Sequence, residues 1–270
     1  MNPKKQTNKL SEQDVDEILK LYYETNLTTT EIGKRFNCDR GVIEYYRKKK
    51  GLPQRPSYQR KKTTYYFSME SFVKDSIDKY YWLGFLAADG YINKKQTSIQ
   101  LHLKSADVKH LEKFKKFAKT NAKINFMMTN HNHGSAYIRI NSKELGLYLE
   151  QYNLVSHKSK DYEIPVDKIP AEYRSHFLRG MFDGDGSISY TRRGQVTFAF
   201  CSGSLKCIEQ IKTWLGLDNA ITFSNGAYKL AVTGNHKAPA IFDQIYKYSS
   251  ERNRLDRKYE RYLDIEETLE

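Results

Sequence analysis

"FLRGMFDGDGSI", residues 177–188, ends an apolar, helix-like run in two aspartates spaced by glycines, and a worn copy, "YWLGFLAADGYI", occupies residues 81–92. Set together, Gly84 aligns with Gly180, Phe85 with Met181, Leu86 with Phe182, Ala88 with Gly184, Asp89 with Asp185 and Gly90 with Gly186, each pair 96 residues apart. Further on, "LKSADVKHL" (103–111) matches "FCSGSLKCI" (200–208) at an offset of 97, pairing Ser105 with Ser202, Lys109 with Lys206 and Leu111 with Ile208. The chain carries an internal duplication.

Each copy reads in the same order. A helix ends at the Asp-Gly, and two strands follow, "SIQLHLK" in the first copy and "GQVTFAFC" in the second. An amphipathic helix, two more strands and a closing helix complete each unit, because apolar residues recur first at helical spacing and then in alternation. The pattern predicts αββαββα twice. Short alternating strands call for antiparallel sheets with helices on one face, an α+β fold.

Gly84 and Ala88, like Gly180 and Gly184, lie four apart, so each motif helix has a face almost bare of side chain. Glycine costs a helix about 0.5–1 kcal/mol relative to alanine, so the bare faces need a packing reason. Packed together, they place Asp89 and Asp185 side by side at the helix ends. Two neighbouring carboxylates repel unless a cation sits between them or one takes a proton. Hard divalent ions such as Mg²⁺ take oxygen ligands and keep several waters, which suits a site open to phosphate. A calcium loop fits poorly: with Gly186 as its sixth residue, Met181 is its first ligand and Arg192 its twelfth.

The paired segments resemble the motif of LAGLIDADG homing endonucleases in the form with two motifs on one chain. The second copy follows the pattern closely; the first has Ala87 at the motif's earlier acidic position and keeps the later one. The resemblance runs from about Lys79 onward. It implies a saddle of two curved sheets along the DNA major groove, with the motif helices above the central minor groove. Asp89 and Asp185 then bind the metal with the carbonyls of Ala88 and Gly184, and each site cuts one strand, leaving 3′ overhangs. The implied cofactor is Mg²⁺, with Mn²⁺ substituting and Ca²⁺ binding without turnover. Lys143 and its weaker counterpart Lys237 fall where a catalytic-pocket lysine is expected. Lys158 and Lys258 match each other near the end of each repeat, as pocket lysines or plain surface ones. A scaffold that binds sequence specifically without cutting, as a regulator or intron-splicing maturase, is the alternative. The resemblance also implies a mobile-element or intron context.

The charge balance agrees with a polyanionic partner. The chain has 45 Lys+Arg against 32 Asp+Glu, a net +13, and 21 Tyr over 270 residues, which favours double-stranded DNA over a membrane surface. Three scattered cysteines, Cys38, Cys201 and Cys207, give neither a disulfide framework nor zinc spacing, so an intracellular location is expected. Nothing approaches a membrane span. His131-x-His133 reads as a hairpin turn. With both motifs on one chain, a monomer is expected.

The first fifty residues predict three helices. Val15, Ile18, Leu19 and Tyr22 share one face; Thr28-Thr-Thr-Glu31 is a capping box; Asp39 is placed to cap a third helix that stops at Gly51. Two helices joined by a short turn match a helix-turn-helix plan, or a plain helical hairpin. Between Arg40 and Lys62 there are nine Lys/Arg and one acid. Candidate DNA contacts here are Arg40, Glu44, Tyr45, Arg47, Lys48, Arg55, Arg60 and Lys61. On the sheets they are Gln100, His102, Lys104 and Arg139, then Tyr190, Arg192, Arg193, Gln195 and Lys229, since alternate strand residues share a face. The expected organisation is a helix-turn-helix domain at 1–52, a basic linker at 53–75, and repeats at 76–160 and 161–270.

Overall fold

The computed structural model describes residues 10–25, 27–55, 66–127 and 134–269. Arg60, Lys61 and the expected turn at His131–His133 lie outside the described residues. The chain divides into two compact units, residues 1–64 and 65–270.

In the first unit, α1 (Glu12–Glu24), α2 (Thr29–Arg35) and α3 (Arg40–Lys49) close around Ile18, Tyr22, Ile32 and Ile43. Each start is chemically marked. The Ser11 hydroxyl accepts the Asp14 amide at 3.1 Å, the Thr28 hydroxyl accepts that of Glu31 at 3.1 Å, and the Asp39 carboxylate accepts that of Gly41 at 2.8 Å. Gly51, with φ of 66°, ends α3, and the Leu52 amide returns to the Arg47 carbonyl. At Gly33 the turn between α2 and α3 passes so near that a Cβ would lie 2.5 Å from the Cys38 oxygen.

Two candidate contacts are corrected here. The Arg47 guanidinium is buried, donating to Glu44 Oε2 at 3.0 Å and the Leu52 carbonyl at 2.7 Å, so it is not presented to a base, while Glu44 stays half-exposed. Arg55 is also buried. It donates to the carbonyls of Tyr22, Thr25 and Leu27, satisfying the open end of α1. Arg40, Tyr45 and Lys48 are exposed.

The second unit opens with a single turn, α4 (Glu70–Val73), and then runs through the doubled order. The first repeat is α5 (Ile77–Asp89), β1 (Gly90–Ile92), β2 (Ile99–Lys104), α6 (Val108–Phe117), β3 (Ile124–Met127), β4 (Ser135–Ile140) and α7 (Lys143–Glu150). The second is α8 (Arg174–Asp185), β5 (Ser187–Tyr190), β6 (Val196–Ser202), α9 (Leu205–Trp214), β7 (Ile221–Ser224), β8 (Ala227–Thr233) and α10 (Lys237–Tyr246). A last helix, α11 (Asp256–Leu269), and α4 were not expected. The sheets are antiparallel, in the orders β1-β2-β4-β3 and β5-β6-β8-β7. This is the α+β fold the duplication implies.

One face of each sheet is apolar and covered by helices. Ile99, Leu101, Ile138 and Ile140 meet Leu111, Phe114 and Phe85 in the first repeat; Phe198 and Phe200 meet Phe182, Ile208 and Phe242 in the second. Phe182 stacks on Phe198 with centroids 4.6 Å apart. The bulky faces of α5 and α8 thus anchor each motif helix to its own sheet and leave the bare faces for each other. No described helix is long and apolar enough to cross a membrane.

Candidate functional site

The two motif helices touch along their smallest residues. A Cβ on Gly84 would lie 2.0 Å from the Phe177 oxygen, and one on Gly180 2.0 Å from the Tyr81 oxygen. Lower down, a Cβ on Gly184 would lie 2.4 Å from that of Ala88 and 3.3 Å from Asp89 Oδ2. The bare faces therefore seat backbone against backbone and bring Asp89 onto the residue next to Asp185. Gly90 and Gly186 cap the two helices with ordinary negative φ, −76° and −79°. Room is what they spare, since a Cβ would meet Leu86 O at 2.4 Å and the Phe182 ring at 2.1 Å.

Lys158 and Lys258 close the same helix ends from behind. Lys158 Nζ donates to the Gly90 carbonyl at 2.6 Å; Lys258 Nζ donates to Phe182 and Gly186 at 2.6 Å and to Gly184 at 3.4 Å. Both lysines are buried. Cations there satisfy C-terminal carbonyls and complement the negative helix end. Burial lowers the proton affinity of Lys158 and brings Lys258 to about 8, although the aspartates pull the other way. Asp89 is raised by burial, against the pull of Lys258, Lys158 and Arg257. Asp185, open to solvent on one side, is pushed up to about 6 by the protein around its carboxyl and then by Asp89. The site is two acids and two cations in mutual tension.

Lys143 and Lys237 stand exposed in the first turns of α7 and α10, and the lysines whose charge acts on both aspartates are Lys158 and Lys258. Arg257 was missed. Its Nε donates to both oxygens of Asp107, at 3.0 and 3.1 Å, and its charge acts on Asp89.

The motif's earlier acid, Asp183, is wholly buried and serves the frame. It accepts the Tyr81 hydroxyl from the other motif helix at 2.8 Å, the Tyr246 hydroxyl, and the Leu255 amide at 2.7 Å. Beside it Arg179, also buried, donates to Ile245 O, Asn253 O, Asn253 Oδ1 and His176 Nδ1. The equivalent residues of the first repeat are Ala87 and Leu83. A charged pair present in one copy and absent from the other was the sequence signal for this network.

On the outer sheet faces, Gln100, His102 and Lys104 alternate along β2, with Arg139 opposite Gln100. Arg192, Arg193 and Gln195 are exposed in the β5–β6 turn, and Lys229 is half-buried on β8. Tyr190 is corrected: it pairs with buried Val196, packs against the core and is covered by the Arg261 guanidinium 4.8 Å from its ring. Tyr91 and Tyr137, outward on the first sheet, were not anticipated.

Residues 172–236 match the family model of the LAGLIDADG-like domain. The LAGLIDADG homing endonuclease I-GzeII in complex with its DNA target is similar in fold, with 15% identity, 72% of this chain and 90% of that chain covered, and a TM-score of 0.50. Meganuclease I-SmaMI bound to uncleavable DNA aligns at 16% identity over 70% of this chain and 89% of that one, TM-score 0.48. DUF199/WhiA from Thermatoga maritima aligns at 16% identity over 73% and 62%, TM-score 0.48. No curated protein sequence matches. The family match lies within the second repeat, and the two-repeat fold is similar to that of the LAGLIDADG homing endonuclease I-GzeII.

Proposed function

We propose that the chain is a site-specific DNA endonuclease making metal-dependent double-strand cuts, with 3′ overhangs, in a long asymmetric target. The observation that carries this reading is the meeting of Asp89 and Asp185 at the ends of helices seated on each other through Gly84 and Gly180, with Lys158 and Lys258 behind them. An acid whose proton affinity is raised by burial and by a neighbouring carboxylate, as that of Asp185 is by Asp89, attracts a cation.

The donor set fits a hard divalent ion. Asp89 and Asp185 offer carboxylate oxygens, and Ala88 and Gly184 offer carbonyls. Among the described residues no group of three or more His, Cys, Asp or Glu forms a metal cluster, so water and phosphate would complete the shell, as Mg²⁺ prefers. Mg²⁺, or Mn²⁺ in its place, would supply Lewis-acid stabilisation and an activated water at a phosphodiester; Ca²⁺ would bind without turnover.

The chain's own groups do the rest. Lys158 and Lys258 fix the helix ends through their main-chain carbonyls, so that each aspartate would be held at a set depth. The outer sheet faces and the exposed residues of α3, Arg40, Tyr45 and Lys48, would lie on double-stranded DNA. Both acids come from one chain, so a monomer suffices, working inside the cell.

Incubation with a randomised duplex library and Mg²⁺, followed by sequencing of the ends, tests the reading. Recurring ends from one site are expected. Selective binding with no ends would leave a non-cleaving regulator or maturase.

A further inference from the structure

The two outer sheet faces are built from different materials at equivalent places. On the first sheet the central cross-strand pairs are Gln100–Arg139, His102–Tyr137 and Lys104–Ser135. On the second they are Thr197–Thr233, Ala199–Ala231 and Cys201–Lys229. Gln100, His102 and Lys104 correspond to Thr197, Ala199 and Cys201 at the 97-residue offset of the duplication.

The first set is organised in advance. Arg139 donates from Nε and Nη2 to Gln100 Oε1 at 3.0 and 2.7 Å, and its guanidinium lies 5.7 Å from the Tyr137 ring centre. The Tyr137 ring meets that of His102 edge-on at 5.9 Å, and His102 Nε2 shares a hydrogen bond with Ser135 Oγ at 2.8 Å. Five side chains hold one another, so less rotamer freedom remains to be lost on binding. Gln100 occupies the Nε edge of the guanidinium. The remaining hydrogens on Nη1 and Nη2 form an end-on fork, the geometry that pairs with O6 and N7 of guanine.

The second set has no such group. The Thr197 and Thr233 hydroxyls bond each other at 2.9 Å, and Ala199 and Ala231 have no polar side-chain atom. Lys229 brings charge, but an ammonium is a point charge without a fork. Arg192, Arg193 and Gln195 sit beyond these strands, at the hairpin turn.

We infer that recognition is lopsided: the first sheet reads its half-site directly, with Arg139, held by Gln100, selecting a guanine, while the centre of the second sheet tolerates any base pair. This rests on the reading of the sheets as a DNA surface, and the test separates the two. Bound duplexes are selected, in chelator, from a library randomised across the whole site. The expected result is one constrained half containing a guanine preferred about tenfold or more. That preference disappears in both Arg139→Ala and Arg139→Lys, and Arg139→Lys keeps the salt dependence. The Thr197→Ala/Thr233→Ala double variant leaves every preference within about threefold, since no good pair is removed. Equal constraint in both halves, or a guanine preference that survives Arg139→Lys, overturns the inference and leaves DNA binding standing. Failure to enrich any duplex removes the DNA reading itself.

Discussion

Gly84 and Gly180 occupy equivalent points on the two motif helices, and each faces a carbonyl of the other's helix at a distance no Cβ can share. The reciprocity is complete: Phe177 stands three residues before Gly180, as Tyr81 does before Gly84. A methyl at either point must move a backbone, and the helix it moves carries the other aspartate. Gly84→Ala and Gly180→Ala should each cost about 3 kcal/mol or more, the upper end for overpacking, because no flexible side chain can yield. Urea midpoints measure this. A loss under about 1 kcal/mol would mean that the helices slide apart freely.

Asp185→Asn keeps the shape of the site and removes one charge. Cutting should fall by at least about two orders of magnitude, as when one preorganised group is removed from a reacting centre. Binding measured in chelator should stay nearly unchanged, and Asp89→Asn should behave alike. Stability should move the opposite way. An acid held at about 6 is disfavoured as a carboxylate, so above that pH the native state carries a cost that asparagine lacks. The gain should be about 1 kcal/mol, because solvent on the open side screens the charge. A variant that cuts at the normal rate would remove Asp185 from catalysis.

Lys258→Met should harm the fold more than Lys158→Met. Lys258 holds three carbonyls at the end of α8, whereas Lys158 holds one at the end of α5. Stranding buried carbonyls should cost about 2–3 kcal/mol for Lys258 and less for Lys158. Thermal melts of the two variants, side by side with cutting assays, check the order. Equal losses would mean that water replaces the ammonium at α8.

The frame was legible in the chain where its causes are local. Caps at Thr28 and Asp39, alternation in β2 and β4, and small residues four apart each state their own geometry. What escaped depends on distant partners. Asp183 finds Tyr81, Tyr246 and Leu255 at separations of 102, 63 and 72 residues. Arg47 and Arg55 read as DNA contacts because charge is visible in sequence, but the carbonyls they satisfy are not. Tyr190 fell on the wrong face because β5 is only four residues long, too short for alternation to declare a side. Lys158 and Lys258 differ from surface lysines only in where the chain folds back.

His176 gives the protein an acid-side weakness. Its Nδ1 accepts from Arg179, so the ring must be neutral, and burial followed by the Arg179 charge brings it to about 4. Unfolded, an ordinary histidine takes its proton near 6.5. Unfolding therefore takes up a proton in that interval, and stability is lost as pH falls from about 6.5 to about 4. The loss should be roughly 1–3 kcal/mol. His176→Gln, which offers an acceptor without a titrating ring, should flatten this part of the pH–stability curve. An unchanged slope would assign the acid sensitivity to other groups.

Removing residues 1–64 should weaken DNA binding without abolishing cutting. The acids, the lysines behind them and both sheets all belong to residues 65–270. The first unit contributes exposed basic residues on α3, and each phosphate neutralised there releases a counterion. The logarithm of affinity should then fall less steeply with salt in the truncated protein, by about 0.9 for each phosphate that α3 no longer neutralises. If α3 also reads bases, truncation should shorten the selected site as well as flatten the salt dependence. An intact salt slope with an intact site would show that the first unit does not touch DNA, and its basic helix would need another partner.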